Sequence, residues 1–490
     1  MSTTTKNDAG TSALSVETNG INTITEAERK GKPRDLFWPW AAANVSVLGI
    51  AYGSYLLGFG VSFWQATLIG LVGIVVSFFF VGVIALAGKR GNAPTLVLSR
   101  SIFGVNGGRV PSILSWVLTV GWETVLVSLA TLATATVFTA LGWNGGPVTQ
   151  VVALIVVAAL VIAAGVMGFD LILKLQFWIT IVTVVLTIGY IVITVAQGHI
   201  DLAAVAALPA GDVPAVIGGF VFMMTGFGLG WVNAAADYSR YLPRNASSKG
   251  VVGWTTFGAS VAPVILLIFG LLLAGSSAEL RDALGADPIG ALSTLLPIWF
   301  LLPFALVAIL GLVGGAVLDI YSSGLSLLTA GIKVPRPVAA GIDGVIMVLG
   351  AIYVVFIAQD FFFPFQGFLI TLGVPIAAWA GIFLADTIIR KKGYAEKELY
   401  TATGRYGSWR WLPIALLVIG SVVGWGFVTN TYADWLAWQG YFMDAIGGKE
   451  GAWAFANLGV LFSLLIGFLG YLAFGRAAVK KQESTPLDND

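Results

Sequence analysis

The sequence has 490 residues, of which 57% are hydrophobic and 10% charged, with a formal net charge of +1 and no cysteine. A soluble domain carries about 25% charged residues because its surface faces water. This composition therefore excludes an ordinary soluble globule and indicates that much of the surface faces lipid. The absence of cysteine excludes disulfides and thiolate sites, and the single histidine, His199, cannot build a multi-histidine metal site. A charge near zero gives no reason to expect a nucleic-acid partner.

We therefore expect an all-α integral membrane protein whose partners are lipid and a small molecule, with no metal and no organic cofactor. Residues 1–34 are polar and contain no apolar core, which predicts a mostly disordered cytoplasmic tail and not a cleaved signal. The sequence carries no signal of oligomeric state.

Apolar runs along the chain predict the membrane spans. Crossing a hydrocarbon core of about 30 Å takes roughly 20 apolar residues in a helix. Twelve runs of this size, which we number as spans one to twelve in chain order, lie near residues 36–60, 63–88, 112–140, 148–168, 175–197, 214–236, 251–275, 298–331, 338–358, 361–388, 411–431 and 452–475.

The distribution of Lys and Arg tests this count. If the N-terminus is cytoplasmic, the tails and loops on that side hold 24 of the 26 basic residues, and the outer loops hold only Arg281 and Lys449. Cytoplasmic loops are enriched in Lys and Arg, and adding or removing one span would scramble the alternation. The pattern supports twelve spans in a cytoplasmic membrane with both termini on the cytoplasmic side.

Spans one and six carry small and polar residues at mid-depth, where a simple anchor would be rich in Leu, Ile and Val. A helix that breaks inside the bilayer must place its freed backbone groups on a cavity, a ligand or neighbouring protein. Two such segments five spans apart predict two inverted five-helix repeats and a transporter with a site near the bilayer midplane. Close helix packing by glycine is the alternative explanation. The predicted units are residues 35–200, residues 201–390, two further spans over residues 391–476, and a C-terminal tail of residues 477–490.

Two acids lie deep inside spans, Glu123 in span three and Asp319 in span eight. An ionised carboxylate at mid-depth costs at least about 2.5 kcal/mol. Each is therefore expected to be protonated, paired or facing water, and each is a candidate for carrying a coupled proton. A structural carboxyl group hydrogen-bonded between helices is the alternative.

Trp122 and Trp231 also lie inside spans, and a buried indole needs a partner for its N–H group. The two side chains either fill space between helices or sandwich a flat ring, since stacking of a base on an aromatic side chain contributes about 1–3 kcal/mol. Asn44 lies in the candidate break of span one, where its amide caps an unwound turn or contacts substrate.

Four further residues are candidates for gates. Asp237 and Arg240 close span six on the cytoplasmic side, where they either anchor the helix or form an inner-gate ion pair. Pro364 and Pro375 interrupt span ten and predict a kink, which is either an ordinary structural feature or part of a gate.

Several segments resemble the cytosine/purine permeases, the nucleobase–cation symporter-1 family. The matching segments read ERKGKPRDLFWPWAAANVSVLG in span one, GKRGNAPTLVLSRSIFG after span two, GWVNAAADYSRYLP in span six and DIYSSGLSL in span eight. They extend from about residue 25 to about residue 390. The resemblance implies a leucine-transporter-like fold of five plus five inverted helices with two trailing helices, and a substrate site between spans one, three, six and eight.

The resemblance also implies roles for particular residues. Trp122 and Trp231 match the family's stacking aromatics, Asp319 falls where many members have a ring-binding asparagine, and Gly230 lies where a backbone group faces the ligand. One departure is Leu126, where several members carry an amide.

A second departure bears on the coupling ion. Val313 and Gly314 fall where sodium-coupled relatives have hydroxyl ligands, which favours proton over sodium coupling. The expected function is import of cytosine or a purine. The alternatives are another heterocycle (uracil, allantoin, a hydantoin or a vitamin precursor) and, in a different class, a channel or a sensor. We find no constellation of an enzyme's catalytic residues.

Overall fold

The computed structural model describes residues 16–17, 19–358 and 362–486, without the side chains of residues 362–364 and 366. This part of the chain folds into helices and contains no strand. The helices that coincide with spans one to twelve are Phe37–Asn44 with Leu48–Leu57, Phe63–Gly91, Arg109–Ala140, Pro147–Met167, Phe169–Ala196, Val213–Gly226 with Gly228–Trp231 and Ala235–Ser239, Ser248–Ser276, Ile298–Ala330, Arg336–Phe356, Phe362–Ile389, Trp411–Gly426 and Leu458–Phe474.

Shorter helices connect the spans. They are Thr95–Phe103, Leu202–Ala206, Ala278–Ala286, Pro288–Ser293 and Arg476–Ser484, with single 3₁₀ turns at Glu26–Glu28, Pro33–Leu36, Val232–Ala234, Glu396–Tyr400, Asp434–Leu436, Met443–Ile446 and Ala454–Ala456.

Every predicted span coincides with a helix, but the number that cross a membrane is not fixed by length and composition. Among the described residues, nine helices are long and apolar enough to cross, or up to eleven if each of two bent pairs is one span. The helix of span eleven, Trp411–Gly426, has only 16 residues. The count of twelve stays a prediction.

The helices pack through small residues and turn apolar side chains outward. Trp64, Val148 and Ile298 are about three-quarters exposed, as expected of side chains that face lipid. Between spans one and seven, a Cβ atom on Gly270 would lie 2.0 Å from the carbonyl oxygen of Ile50. Only glycine permits this backbone-to-backbone approach, which is typical of membrane helix interfaces.

Both predicted breaks are present. The two halves of span one bend by 65° at residues 45–47. Span six is interrupted at Phe227, and its backbone tightens to a 3₁₀ turn at Val232–Ala234. The freed N–H of Gly228 donates to Ser77 Oγ of span two at 3.1 Å, so neighbouring protein satisfies the broken backbone.

Part of the N-terminal tail is ordered. Ile24 N donates to the carbonyl oxygen of Asn92 at 2.9 Å. The Arg29 guanidinium, which is 5% exposed, donates to the carbonyl oxygens of Lys89 and Leu242. The prediction of a mostly disordered tail is therefore wrong for residues 19–34, because groups of this segment donate hydrogen bonds to backbone carbonyl oxygens at and beyond the ends of spans two and six.

Candidate functional site

A small chamber lies where the broken helices of spans one and six meet spans three and eight. It has a volume of about 80 Å³, and all five residues predicted to bind substrate line it: Asn44, Trp122, Gly230, Trp231 and Asp319. Residues at or beside both helix breaks, including Ser46 and Phe227, line the chamber. The predicted residues are thus brought together at one place in the fold.

Other aromatic rings position the two indoles. Trp231 contacts Trp40 edge to face, with ring centroids 5.8 Å apart, and Trp122 contacts Phe365 in the same way at 5.2 Å. Both indoles are partly exposed, whereas Trp40 is fully buried. Trp122 and Trp231 therefore form half-open aromatic walls of the chamber, held by buried aromatic neighbours.

Asp319 supplies the acidic group of the chamber. Its side chain is 3% exposed, and no hydrogen bond to it is found among the residues that the structure describes. A buried carboxyl group without a partner is unfavourable, so a bound ligand or a proton must complement it. Asn44 has a different role, since its amide donates to the carbonyl oxygen of Trp40 at 2.8 Å. This bond closes the last turn of the first half of span one, in agreement with the capping interpretation.

Glu123 lies behind the chamber and does not line it. Its side chain is fully buried, and neither carboxyl oxygen has a hydrogen-bond partner in the described part of the chain. Although Trp122 and Glu123 are adjacent in span three, the helix turns the first toward the chamber and the second toward spans eight and nine.

A wide vestibule of about 920 Å³ continues from the chamber, and Tyr52, Trp122 and Gly226 line both cavities. Its far wall includes Asp212 and Arg281, which lie in loops that the charge pattern assigns to the outer side. The chamber is therefore accessible from the side predicted to face outward.

The opposite side of the chamber is closed by a charged network around Glu17. One carboxyl oxygen of Glu17 lies 3.4 Å from Arg240 Nη2, and the other lies 3.7 Å from Arg336 Nε. The hydroxyl groups of Tyr241 and Tyr321 also donate to Glu17. This network ties the tail to spans six, eight and nine.

The gate candidates of span six do not pair with each other. Asp237 accepts hydrogen bonds from the backbone N and the Oγ of Thr95, both at 2.8 Å, whereas Arg240 pairs with Glu17. Pro375 lies inside the helix Phe362–Ile389, which continues through it. The side chain of Pro364 lies outside the described residues.

Arg244 forms ion pairs with two acids beside this network, and the pKa values of these acids shift in opposite directions. Arg244 donates to Glu26 Oε1 at 2.7 Å and to Glu396 Oε1 at 2.6 Å. The hydrogen bond from Arg244 lowers the pKa of Glu26, whereas burial raises the pKa of Glu396. These contacts add charge to the closed side.

Sequence analysis did not identify Asp343 or Glu17 as candidate functional residues. Asp343 of span nine is fully buried and accepts hydrogen bonds from Trp116 Nε1 at 2.8 Å and Ser323 Oγ at 3.0 Å. It is an acid inside an apolar run, the same signal that identified Glu123. Glu17 gives no such signal, because it lies in a polar tail among other polar residues.

Comparison with known proteins identifies the family. The family described as permeases for cytosine/purines, uracil, thiamine and allantoin matches residues 23–444. The chain belongs to this permease family. The permease is 23% identical over 449 residues to YxlA of Bacillus subtilis (strain 168), whose name describes it as a purine-cytosine permease, covering 90% of this chain and 93% of that protein. It is 24% identical over 274 residues to the purine-cytosine permease FCY2 of Saccharomyces cerevisiae, covering 54% of this chain and 49% of that protein.

A solved structure shares the permease's fold. MHP1, a nucleobase-cation-symport-1 family transporter in a closed conformation with bromovinylhydantoin bound, superimposes with a TM-score of 0.67 at 16% identity, covering 96% of this chain and 97% of that chain. The expected leucine-transporter-like fold is confirmed. The permease is a multi-pass membrane transporter, and the relatives named here are transporters and not enzymes.

Proposed function

We propose that this protein is a secondary active importer of a flat, nitrogen-rich heterocycle, cytosine or a purine, driven by protons across the cytoplasmic membrane with both termini inside. The observation that carries the proposal is the carboxyl group of Asp319, which has no partner among the described residues and lies in one chamber with two partly exposed indoles. A flat ring between Trp122 and Trp231 gains stacking energy, while its edge supplies the N–H donor that Asp319 lacks.

The acid favours an amino-bearing ring. An ionised carboxylate only accepts hydrogen bonds, so Asp319 suits a ring edge that presents N–H groups, as the exocyclic amines of cytosine and adenine do. Uracil, allantoin and hydantoins present alternating N–H and carbonyl groups. An amide side chain would suit them better than a carboxylate, because it both accepts from the N–H and donates to the carbonyl. These heterocycles, with vitamin precursors, form the alternative substrate class.

The composition of span eight at Val313 and Gly314 supports proton coupling. Sodium is a hard cation that prefers several oxygen ligands, and neither Val313 nor Gly314 offers a side-chain oxygen. The carbonyl oxygen of Gly314 accepts a hydrogen bond from Gln176 Nε2 at 2.8 Å. This carbonyl oxygen is thus already occupied by a donor.

Uptake of labelled cytosine by proteoliposomes tests the proposal. We expect accumulation driven by an inward proton gradient, no requirement for sodium, and competition by unlabelled purines. Saturable uptake would exclude a channel. Accumulation that requires a sodium gradient and ignores a pH gradient would contradict proton coupling, and failure of cytosine and purines to compete with other heterocycles would contradict the substrate class.

The variant Asp319→Asn tests the role of the acid. It keeps the size of the side chain but adds a donor, so we expect weaker uptake of cytosine and a shift of preference toward rings with a carbonyl edge. Asp170→Asn makes the same chemical change at an exposed position and serves as the control. Unchanged substrate preference and pH dependence in Asp319→Asn would contradict the assigned role.

A further inference from the structure

Glu123 and Asp343 are two buried acids that the substrate site does not use. Glu123 has two carboxyl oxygens without a hydrogen-bond partner in the described part of the chain, and both side chains are fully inaccessible to solvent. A buried carboxylate without donors is strongly disfavoured, so Glu123 is set up to hold a proton.

Asp343 is set up in the opposite way. Trp116 of span three donates to Asp343 Oδ1 at 2.8 Å, and Ser323 of span eight donates to Oδ2 at 3.0 Å. Hydrogen bonds from two donors to the two oxygens favour the anionic form of a carboxyl group. Both acids are fully buried, but Asp343 has two donors that stabilise its anion and Glu123 has none.

The two acids lie at the interface of spans three, eight and nine. The polar groups near Glu123 are Asp343, Ser323 and Asp319, and the Ser323 hydroxyl donates to Asp343 and not to Glu123. Span four packs against both spans three and nine, and its residues 147–167 contain no titratable side chain. The single acid of span ten, Asp386, is paired with its own neighbour Arg390 at 2.8 Å.

The positions of the three acids along their helices give the direction of a possible proton path. Ser323 follows Asp319 by four residues and therefore lies one helical turn from the acid of the chamber. Glu123 follows Trp116 by seven residues, which is about 10 Å along the helix axis. Asp343 contacts Trp116 and lies seven residues from Arg336, the first residue of span nine, on the side that the chamber does not open to. The acids thus run from Asp319 through Glu123 toward the closed side.

We propose that Glu123 and Asp343 form a proton-binding pair behind the substrate chamber, which receives the coupled proton from the side of Asp319 and releases it toward the cytoplasm through Asp343. Glu123 first passes its proton to the Asp343 carboxylate, so that its O–H bond breaks as one forms on Asp343, and the Glu123 carboxylate then accepts the proton from the side of Asp319. Loss of the Asp343 proton to the cytoplasm returns the pair to one proton and one negative charge. This inference rests on the proposed proton-coupled uptake of a heterocycle.

The variants Glu123→Gln and Asp343→Asn test the pair, because each keeps shape but cannot release a proton. We expect both to lose accumulation of cytosine driven by a pH gradient, and to lose the cytosine-dependent acidification reported by a pH dye inside the liposomes. Exchange of labelled for unlabelled cytosine at equal pH needs no net proton movement, so we expect both variants to retain it. Exchange also reports that each variant is folded. Glu279→Gln and Asp170→Asn, two exposed acids, serve as matched controls.

The variant Trp116→Phe gives an independent test that keeps both acids. It removes one hydrogen-bond donor from the anionic form of Asp343, so we expect the pH at which uptake is half-maximal to rise by about one unit. A merely structural role for Trp116 would lower the amount of active protein without moving this profile.

The outcomes separate the inference from the function on which it rests. If the unaltered protein takes up cytosine without any response to a pH gradient, proton coupling itself is wrong. If the unaltered protein responds and Glu123→Gln and Asp343→Asn still accumulate cytosine with the same proton signal, the proposed pair is wrong. An unmoved pH profile in Trp116→Phe would also overturn it.

Discussion

Replacing Glu17 with Gln should open the closed side of the chamber. Glu17 is the only carboxylate within 4 Å of Arg240 and Arg336 in the described part of the chain, and the two guanidinium side chains are 0% and 1% exposed. Removing one partner of a buried ion pair costs about 3–5 kcal/mol because the other charge stays buried. Glutamine keeps some hydrogen bonding, so we take the lower value of about 3 kcal/mol.

The substitution destabilises only the conformation in which this side of the chamber is closed. When the closed side opens, Arg240 and Arg336 reach water whether or not residue 17 is acidic. The substitution therefore raises the energy of the closed form alone, and about 3 kcal/mol corresponds to a change of about 150-fold in the equilibrium between the two forms.

Because the chain contains no cysteine, a single cysteine reports this opening without background. Ser326 is suitable, since it is 3% exposed and its hydroxyl lies 3.1 Å from that of Ser115, between spans three and eight. We expect a maleimide added from the cytoplasmic side to label Ser326→Cys much faster in the Glu17→Gln background. The exposed variant Glu279→Gln should leave the rate unchanged. Equal labelling rates with and without Glu17 would refute the assignment of this network as the inner closure.

Two further predictions concern binding and stability. Trp231→Leu removes one stacking surface, so affinity for cytosine should fall by about 1–3 kcal/mol, measured by binding to purified protein, whereas Trp64→Leu on the exposed face should have no effect. Retained affinity in Trp231→Leu would contradict the stacking role. Asp386→Ala leaves the buried Arg390 unpaired and should destabilise the fold by about 3–5 kcal/mol, seen as a lower Tm in detergent. A Tm equal to that of the unaltered protein would show that Arg390 finds another partner.

The helices of this fold and most residues of the chamber could be predicted from the sequence, because polar residues inside a bilayer are energetically unfavourable and therefore rare. An acid such as Asp319, or a tryptophan such as Trp122, is conspicuous in a run of Leu, Ile and Val. The same penalty marks the breaks of spans one and six, where glycine and polar residues replace the usual apolar ones. The number of spans was harder to predict, because the helix of span eleven has only 16 residues.

The sequence did not predict the hydrogen-bond and ion-pair partners of the polar residues. Glu17 lies in a polar tail that composition alone describes as unstructured, yet it contacts Arg240, 223 positions further along the chain. Asp237 and Arg240 are three residues apart on one short segment, which suggested a pair, but the backbone directs them to Thr95 and Glu17. These partners depend on how the helices pack, and apolar periodicity does not encode that information.

The free energy needed to open the chamber differs between its two sides. This difference suggests that substrate binding and proton binding contribute separately to opening. The outer vestibule is lined mainly by aromatic and apolar side chains, so water enters it without breaking an ion pair. The closed side is held by the Glu17 network, at about 3–5 kcal/mol. A ligand shifts a conformational equilibrium only by its difference in affinity between the two forms. Two stacking contacts supply about 2–6 kcal/mol in total, of which only a part differs between the forms. Substrate alone is therefore a marginal opener of the closed side, and on the proposed mechanism protonation of Asp343 supplies the second contribution.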